Sequence, residues 1–366
     1  MKWPLDGVKV VDLTQNVAGP FASSILADLG ADVIKIEPPQ GDATRTWGPP
    51  FWSGESPAFL ALNRNKRGVR LDLKQSADKT RLASLLSDTD VLLVSGRPGA
   101  MQRLGLGFDT LHTHYPRLIY GEVTPFGQSG PLKDRPGYDP LMQAMVGIMS
   151  VNTVPGEEPS RVGVSIIDMG CAQWLAIGVL SALRARDLSG EGMRVTASLF
   201  DTAVGWMTYH LASYWASGIS PRGWGSGTAM IVPYQAFPVS DGWLVIAAGN
   251  DRLFRELARV LDRPEWITDE RYSTNAARVR NREPLIQSIA ERTRTRTHWE
   301  WQVVLDAVGI PSAPVQTVED VARSEQLKTS GIIQQLTHNR ISDFRAVGLP
   351  LTMNGIRPAI RKPPPE

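Results

Sequence analysis

Asp168 stands in the run VSIIDMGCAQWLAIGVLSAL (164–183), a single carboxylate between an apolar stretch and the start of a long apolar helix. Burying an ionised carboxylate without partners is costly, but a helix N-terminus supplies free N–H groups and a favourable dipole. Two readings are open. Asp is a preferred capping residue, so Asp168 is an N-cap. Alternatively it is a desolvated nucleophile or base, whose reacting partner becomes an anion beside the N–H groups that follow it.

The remaining chemistry-bearing residues narrow the choice of reaction. Basic residues cluster in loops after strands or helices: Asn63-Arg-Asn-Lys-Arg67, Arg97 with Arg103, and Lys133 with Arg135. A charge run is usually a solvated face, but three such groups at the edges of an α/β sheet would suit a polyanionic ligand. Gly105-Leu-Gly107 lacks the third glycine of a dinucleotide fingerprint, and no P-loop is present. Gly223-Trp-Gly-Ser-Gly227 does not supply the nucleophile elbow of a serine hydrolase in register. The five histidines are scattered and Cys171 is the only cysteine, so neither a metal site nor a disulfide framework is expected.

These residues must be positioned by a fold of 366 residues, a length that suits two domains. Apolar content of 42% with 21% charged residues is ordinary for a soluble globular protein. A net charge of +2 gives no reason to expect nucleic acid as a partner. The N-terminus lacks a signal pattern and no uninterrupted apolar stretch approaches a membrane span, so a cytoplasmic protein without membrane partners is expected.

Val8–Leu13, a helix over Pro20–Leu29 ended by Gly30, and Asp32–Glu37 form a strand–helix–strand unit, which implies a parallel sheet. The pattern continues with strands at Val69–Leu73, Asp90–Val94, Leu118–Val123 and Met193–Ala197. Helices are expected over Ser76–Ser87, Thr110–His114, Asp139–Ser150 and from Asp168 to Arg186. After residue 205 the texture changes. A glycine-rich loop, Arg222–Thr228, leads into a hairpin of Val232–Val239 and Trp243–Ala247, then a helix capped by Asn250 or Asp251. The expected architecture is a large Rossmann-like α/β parallel-sheet domain (1–205, completed by 314–366), a linker (206–230) and a small α+β domain (231–313).

The opening PLDGVKVVDLT (4–14), Ala18-Gly-Pro20 and LGADVIKIE (29–37) closely resemble the start of class III CoA-transferases. Asn63–Arg67, Arg97-Pro-Gly99, Gly127–Pro131, Gly137-Tyr-Asp-Pro140 and Val232–Phe237 match further family landmarks in order. The resemblance implies acyl-CoA:carboxylate CoA transfer with Asp168 as the catalytic nucleophile, no permanently bound cofactor, and CoA thioesters as substrates. It implies an interlocked homodimer. Gln15, Val17, Tyr138 and Asp139 would lie near the thioester, with the N–H groups of Met169 and Gly170 facing the oxyanion. The loop carrying Arg222, Gly225 and Gly227 would cover the site, and Asn65, Lys66, Arg97, Arg103 and Lys133 would contact CoA.

Within the family, racemases need a second proton carrier, supplied by a histidine before the aspartate of the Gly-x-Asp segment. Tyr138 occupies that position, and a phenol is a poor base near neutral pH. The resemblance therefore favours a transferase over a 2-methylacyl-CoA racemase or epimerase. A catalytically silent CoA-binding protein is the alternative from another class. The segment Asp42–Pro50 with Arg222-Gly-Trp224 looks most like members that move CoA between short dicarboxylates with succinyl-CoA as donor. Arg45, Arg161 or Arg222 would then receive the distal carboxylate.

Overall fold

The aliphatic and β-branched runs form six strands: β1 (Lys9–Asp12), β2 (Asp32–Glu37), β3 (Lys66–Arg70), β4 (Val91–Ser95), β5 (Ile119–Thr124) and β6 (Arg194–Ser198). The computed structural model describes residues 2–366. All six strands pair in parallel in the order β3-β2-β1-β4-β5-β6. Helices cover such a sheet on both faces, which explains why β4 reads as an unbroken apolar run, Val91 to Val94, wholly buried. The order reverses direction between β1 and β4. A crevice outside the carboxyl ends of the strands is the expected ligand position in this topology.

The nucleophile candidate rides on the helix Ile166–Ser189, which packs over β5 and β6 and against the helix Ala18–Asp28. Close approach is built in: a Cβ on Gly178 would stand 2.5 Å from Val195 Cγ1. By length and apolar character the Ile166–Ser189 helix could cross a membrane, but half of that stretch is buried against the protein core. It is terminated by Gly190 in the left-handed region, at φ 82°.

Two units divide the chain, the first comprising Met1–Val146, Gly163–Met207 and Glu325–Glu366. In its C-terminal part, β10 (Ile333–Gln335) and β11 (Arg345–Val347) form an antiparallel pair. The tail is stitched down at Asn65, whose Oδ1 accepts from the backbone N–H groups of Arg361 and Lys362. The second unit comprises Gly147–Val162 and Thr208–Ser324. Its antiparallel sheet runs β7 (Tyr234–Val239), β8 (Gly242–Ala247) and β9 (Ser312–Pro314). The helix Asp251–Val260, capped by the Asn250 side chain, packs Phe254 and Leu257 into a core with Phe237, Leu244 and Trp301.

The structure differs from the expected boundaries at two places with clear causes. The helix expected over 139–150 breaks at Gly147, which takes φ 85°, and residues 147–162 join the second unit. The return to the first unit comes at Glu325 and not at 314, because Ser312–Pro314 is a strand of the second unit's sheet.

Candidate active site

A cavity of about 390 Å³ opens at the carboxyl ends of β1, β4 and β5, at the switch point of the sheet. Gln15, Val17, Arg97, Tyr138 and Asp168, all singled out from the sequence, line it together. Asp168 is the one carboxylate among the lining residues. Trp47, Val123, Pro136 and Leu199 supply apolar wall. The site is thus assembled from the loop after β1, the loops after β4 and β5, and the first turn of the helix Ile166–Ser189.

Asp168 is not the cap of that helix. Ser165 holds the N-cap position without a side-chain bond. The capping bonds come from Asp139, at the start of the helix Asp139–Met145. Its Oδ2 accepts from Ile167 N at 2.7 Å and from Asp168 N at 3.2 Å. Its Oδ1 accepts from the Gln143 side-chain amide at 2.6 Å. Asp139 is buried, at 2% exposure, and does not line the cavity. The capping reading and the nucleophile reading therefore separate onto two carboxylates, leaving the Asp168 side chain free to face the cavity. Burial pushes the Asp168 carboxyl up, and the Asp139 charge adds to it, to about 7.

Tyr138 sits in extended conformation at the N-cap of the helix Asp139–Met145, with 59% of its surface exposed. Gly137 before it cannot bear a side chain, since a Cβ there would lie 2.4 Å from Met142 Cε and 2.8 Å from Pro125 Cβ. The loop after β1, which also lines the cavity, passes through Asn16 at φ 66° into the helix Ala18–Asp28. The expected oxyanion donors at Met169 and Gly170 are not available. Met169 N already donates to Ser165 O at 3.0 Å, and Gly170 lies beyond the first turn of the helix Ile166–Ser189, where a backbone N–H has an intrahelical acceptor.

Asn65 and Lys66 are not brought to the cavity. Asn65 donates to Asp28 Oδ1 at 2.7 Å and holds the C-terminal tail. Lys66, fully buried, directs its ammonium at Asn63 Oδ1 (2.7 Å), Pro20 O (2.8 Å), Leu62 O (3.1 Å) and Asp12 Oδ2 (3.3 Å). Burial lowers its pKa to about 7 despite Asp12. Both side chains are committed to contacts within the fold, and neither lines the cavity. Arg97 is exposed at the cavity and donates to Asp134 O, the neighbour of exposed Lys133. Arg103 is exposed at the end of a short helix, Ala100–Arg103.

The glycine-rich loop belongs to the second unit. Gly225 takes φ 61°, and a Cβ on Gly223 would collide with Thr153 O. Trp224 carries two guanidinium groups on its ring, Arg222 and Arg282, each 3.9 Å from the ring centroid. Gly227 N closes a turn by donating to Trp224 O at 3.0 Å. Arg161 is exposed in the same unit. Arg45, in the first unit, is held by both Glu37 oxygens at 2.7 Å and by Phe59 beneath it.

Residues 5–366 match the profile described as CoA-transferase family III. The succinyl-CoA:glutarate CoA-transferase of Mus musculus is 34% identical over 363 residues, covering 99% of this chain and 83% of that protein. The acetyl-CoA:oxalate CoA-transferase of Acetobacter aceti is 36% identical over 352 residues, covering 94% of this chain and 90% of that protein. A crystal structure of a CaiB/BaiF family protein from Brucella suis aligns with a TM-score of 0.89 at 36% identity, covering 100% of this chain and 97% of that one. With a likeness that runs from residue 5 to residue 366 in both sequence and fold, the chain belongs to CoA-transferase family III.

Proposed function

We propose that this CoA-transferase works through a covalent intermediate on Asp168 and that its acceptor is a short dicarboxylate. The observation that carries the first part is a lone carboxylate facing the cavity, freed from capping by Asp139 and desolvated enough to be a strong nucleophile.

An Asp168 oxygen attacks the thioester carbonyl of the donor, and the C–S bond breaks to give an acyl–aspartyl anhydride and CoA thiolate. The thiolate then attacks the aspartyl carbonyl, releasing the donor acid and leaving an aspartyl-CoA thioester. The acceptor carboxylate attacks that thioester, giving a second anhydride and CoA thiolate. Attack of the thiolate on the acceptor's acyl carbon forms the new acyl-CoA and restores the Asp168 carboxylate. Each tetrahedral oxyanion needs donors. The amides of Ala18 and Gly19 suit this role, because they line the cavity and, in the first turn of their helix, have no intrahelical acceptor. Trp47, Tyr138 and Leu199 favour exclusion of water from the anhydride.

A racemase would require a second base on the opposite face of the α-carbon. No histidine is among the cavity-lining residues, which supports transfer over racemisation. Arg97, Arg103 and Lys133 are the proposed cations for the CoA phosphates. Arg45 is engaged by Glu37, and Arg161 or Arg222 as the cation for the distal carboxylate of the acceptor is proposed on the family likeness alone. The loop of Gly225 and Gly227 as a cover, and a homodimer, are proposed on the family likeness alone.

A steady-state assay with succinyl-CoA and a panel of acids tests the assignment. Glutarate-sized diacids should exceed matched monoacids by at least about tenfold in kcat/KM, the worth of one charge-assisted contact. Equal use of monoacids would contradict the dicarboxylate reading. Solvent deuterium entering the α-position of a 2-methylacyl-CoA without transfer would favour the racemase.

A further inference from the structure

The loop after β1 that lines the cavity with Asp168 is held by charges that nothing in the proposed chemistry uses. β1 ends at Asp12 and the next helix begins at Ala18, so the chain turns within a few residues. Such a turn leaves backbone polar groups without ladder partners. Asp12 Oδ1 accepts from Thr14 N at 2.9 Å and from Thr14 Oγ1 at 2.5 Å. Lys35 Nζ donates to Thr14 O at 3.0 Å and to Asp42 Oδ2 at 2.8 Å. Asp42 Oδ1 accepts from Asn16 N at 3.3 Å and from Thr44 N and Oγ1, both at 2.9 Å. The side chains of Lys35 and Asp42 are both at 0% exposure.

A buried ion pair of this kind is weak support for stability, since volume-matched apolar replacements are often neutral or better. What the pair does here is geometric. It grips the carbonyl of Thr14 and the amide of Asn16, on either side of Gln15, and holds Asn16 in the left-handed region at φ 66°. The helix start is pressed onto the same point, because a Cβ on Gly19 would stand 2.2 Å from Thr14 Cβ. Gln15, Asn16, Val17, Ala18 and Gly19 then line the cavity with Asp168.

We propose that the Lys35–Asp42 pair is a positioning device that fixes the Thr14–Val17 path opposite the reacting carboxylate, an inference that rests on the reading of Asp168 as nucleophile. Neither residue touches substrate; both act through the backbone they hold.

The test pairs Lys35→Met/Asp42→Leu, which removes both grips, with Lys35→Met/Asp42→Asn, which keeps an oxygen for the amides of Asn16 and Thr44. Both are assayed beside wild type and Asp168→Asn, with thermal unfolding measured in parallel. The fuller replacement should stay folded, destabilised only by the orphaned amides of Asn16 and Thr44, yet lose about 10²-fold in kcat, as expected for a small misplacement of reacting groups. KM for the acyl-CoA should stay close to wild type, and the asparagine variant should recover part of the loss. A purely structural role predicts that activity follows stability, so unchanged kcat in either folded variant overturns the clamp. If Asp168→Asn remains active, the nucleophile reading fails and the clamp, as a device set against that carboxylate, fails with it; an inactive Asp168→Asn beside clamp variants of unchanged kcat overturns the clamp alone.

Discussion

Asp168→Asn should abolish CoA transfer and at the same time make the protein more stable above pH 7. The amide cannot form the anhydride, so kcat should fall by at least about 10⁴-fold, as for loss of a covalent nucleophile. The stability change follows from the raised pKa of this carboxyl. The folded protein holds the Asp168 proton up to about pH 7, whereas an ordinary aspartate releases it near its usual value of 3.8. Between these pH values the folded state binds more protons than the unfolded state, so stability declines as pH rises through the window. At pH 8 the ionised, desolvated carboxylate costs roughly 2–4 kcal/mol. The asparagine does not ionise and escapes this cost. Thermal unfolding should show the variant several degrees more stable at pH 8 and no different near pH 4. A destabilised variant at pH 8 would mean that Asp168 is held by favourable contacts and is not a strained nucleophile.

Asp139 substitutions should separate its two effects on that nucleophile. Attack requires ionised Asp168, so kcat/KM for the acyl-CoA should rise with pH through about 7 in the wild type. Asp139→Asn removes the neighbouring charge but keeps an oxygen for the amides of Ile167 and Asp168. The rising limb should therefore move to lower pH while the fold is retained. Asp139→Ala removes the cap as well. It orphans the buried Ile167 amide, which costs about 1–3 kcal/mol, and loosens the turn that carries Asp168. Its kcat should fall by about 10²-fold. An unshifted pH profile in Asp139→Asn would show that burial alone sets the acidity of Asp168.

Much of this was legible in the residues, and what was not has a common cause. The run Asp32–Glu37 is a strand with those same ends, because the β-branched residues Val33, Ile34 and Ile36 lie between Gly30 and Pro38. The long apolar helix and the parallel sheet follow from periodicity and spacing. The cap of that helix did not, because the capping carboxylate comes from Asp139, on another helix, and a tertiary bond leaves no local pattern. Lys66 within Asn63–Arg67 reads as a CoA contact, yet it is buried against Asp12, a carboxylate partner that lies 54 residues away in sequence. Asp12 and Lys35 did carry a signal, as charges set directly beside the aliphatic residues of β1 and β2. A buried strand admits such residues only when they are paired. The break at Gly147 was hidden because a glycine inside a helical pattern is tolerated as often as it ends one.

The covalent step is tested most directly by intact-mass measurement of the protein after brief exposure to succinyl-CoA, with and without hydroxylamine, beside Asp168→Ala. The wild type should gain the mass of CoA less one water. Hydroxylamine should convert that adduct to a hydroxamate mapped to Asp168, and the variant should show neither. Turnover without any adduct, or the same adduct on Asp168→Ala, would contradict a mechanism through an aspartyl thioester.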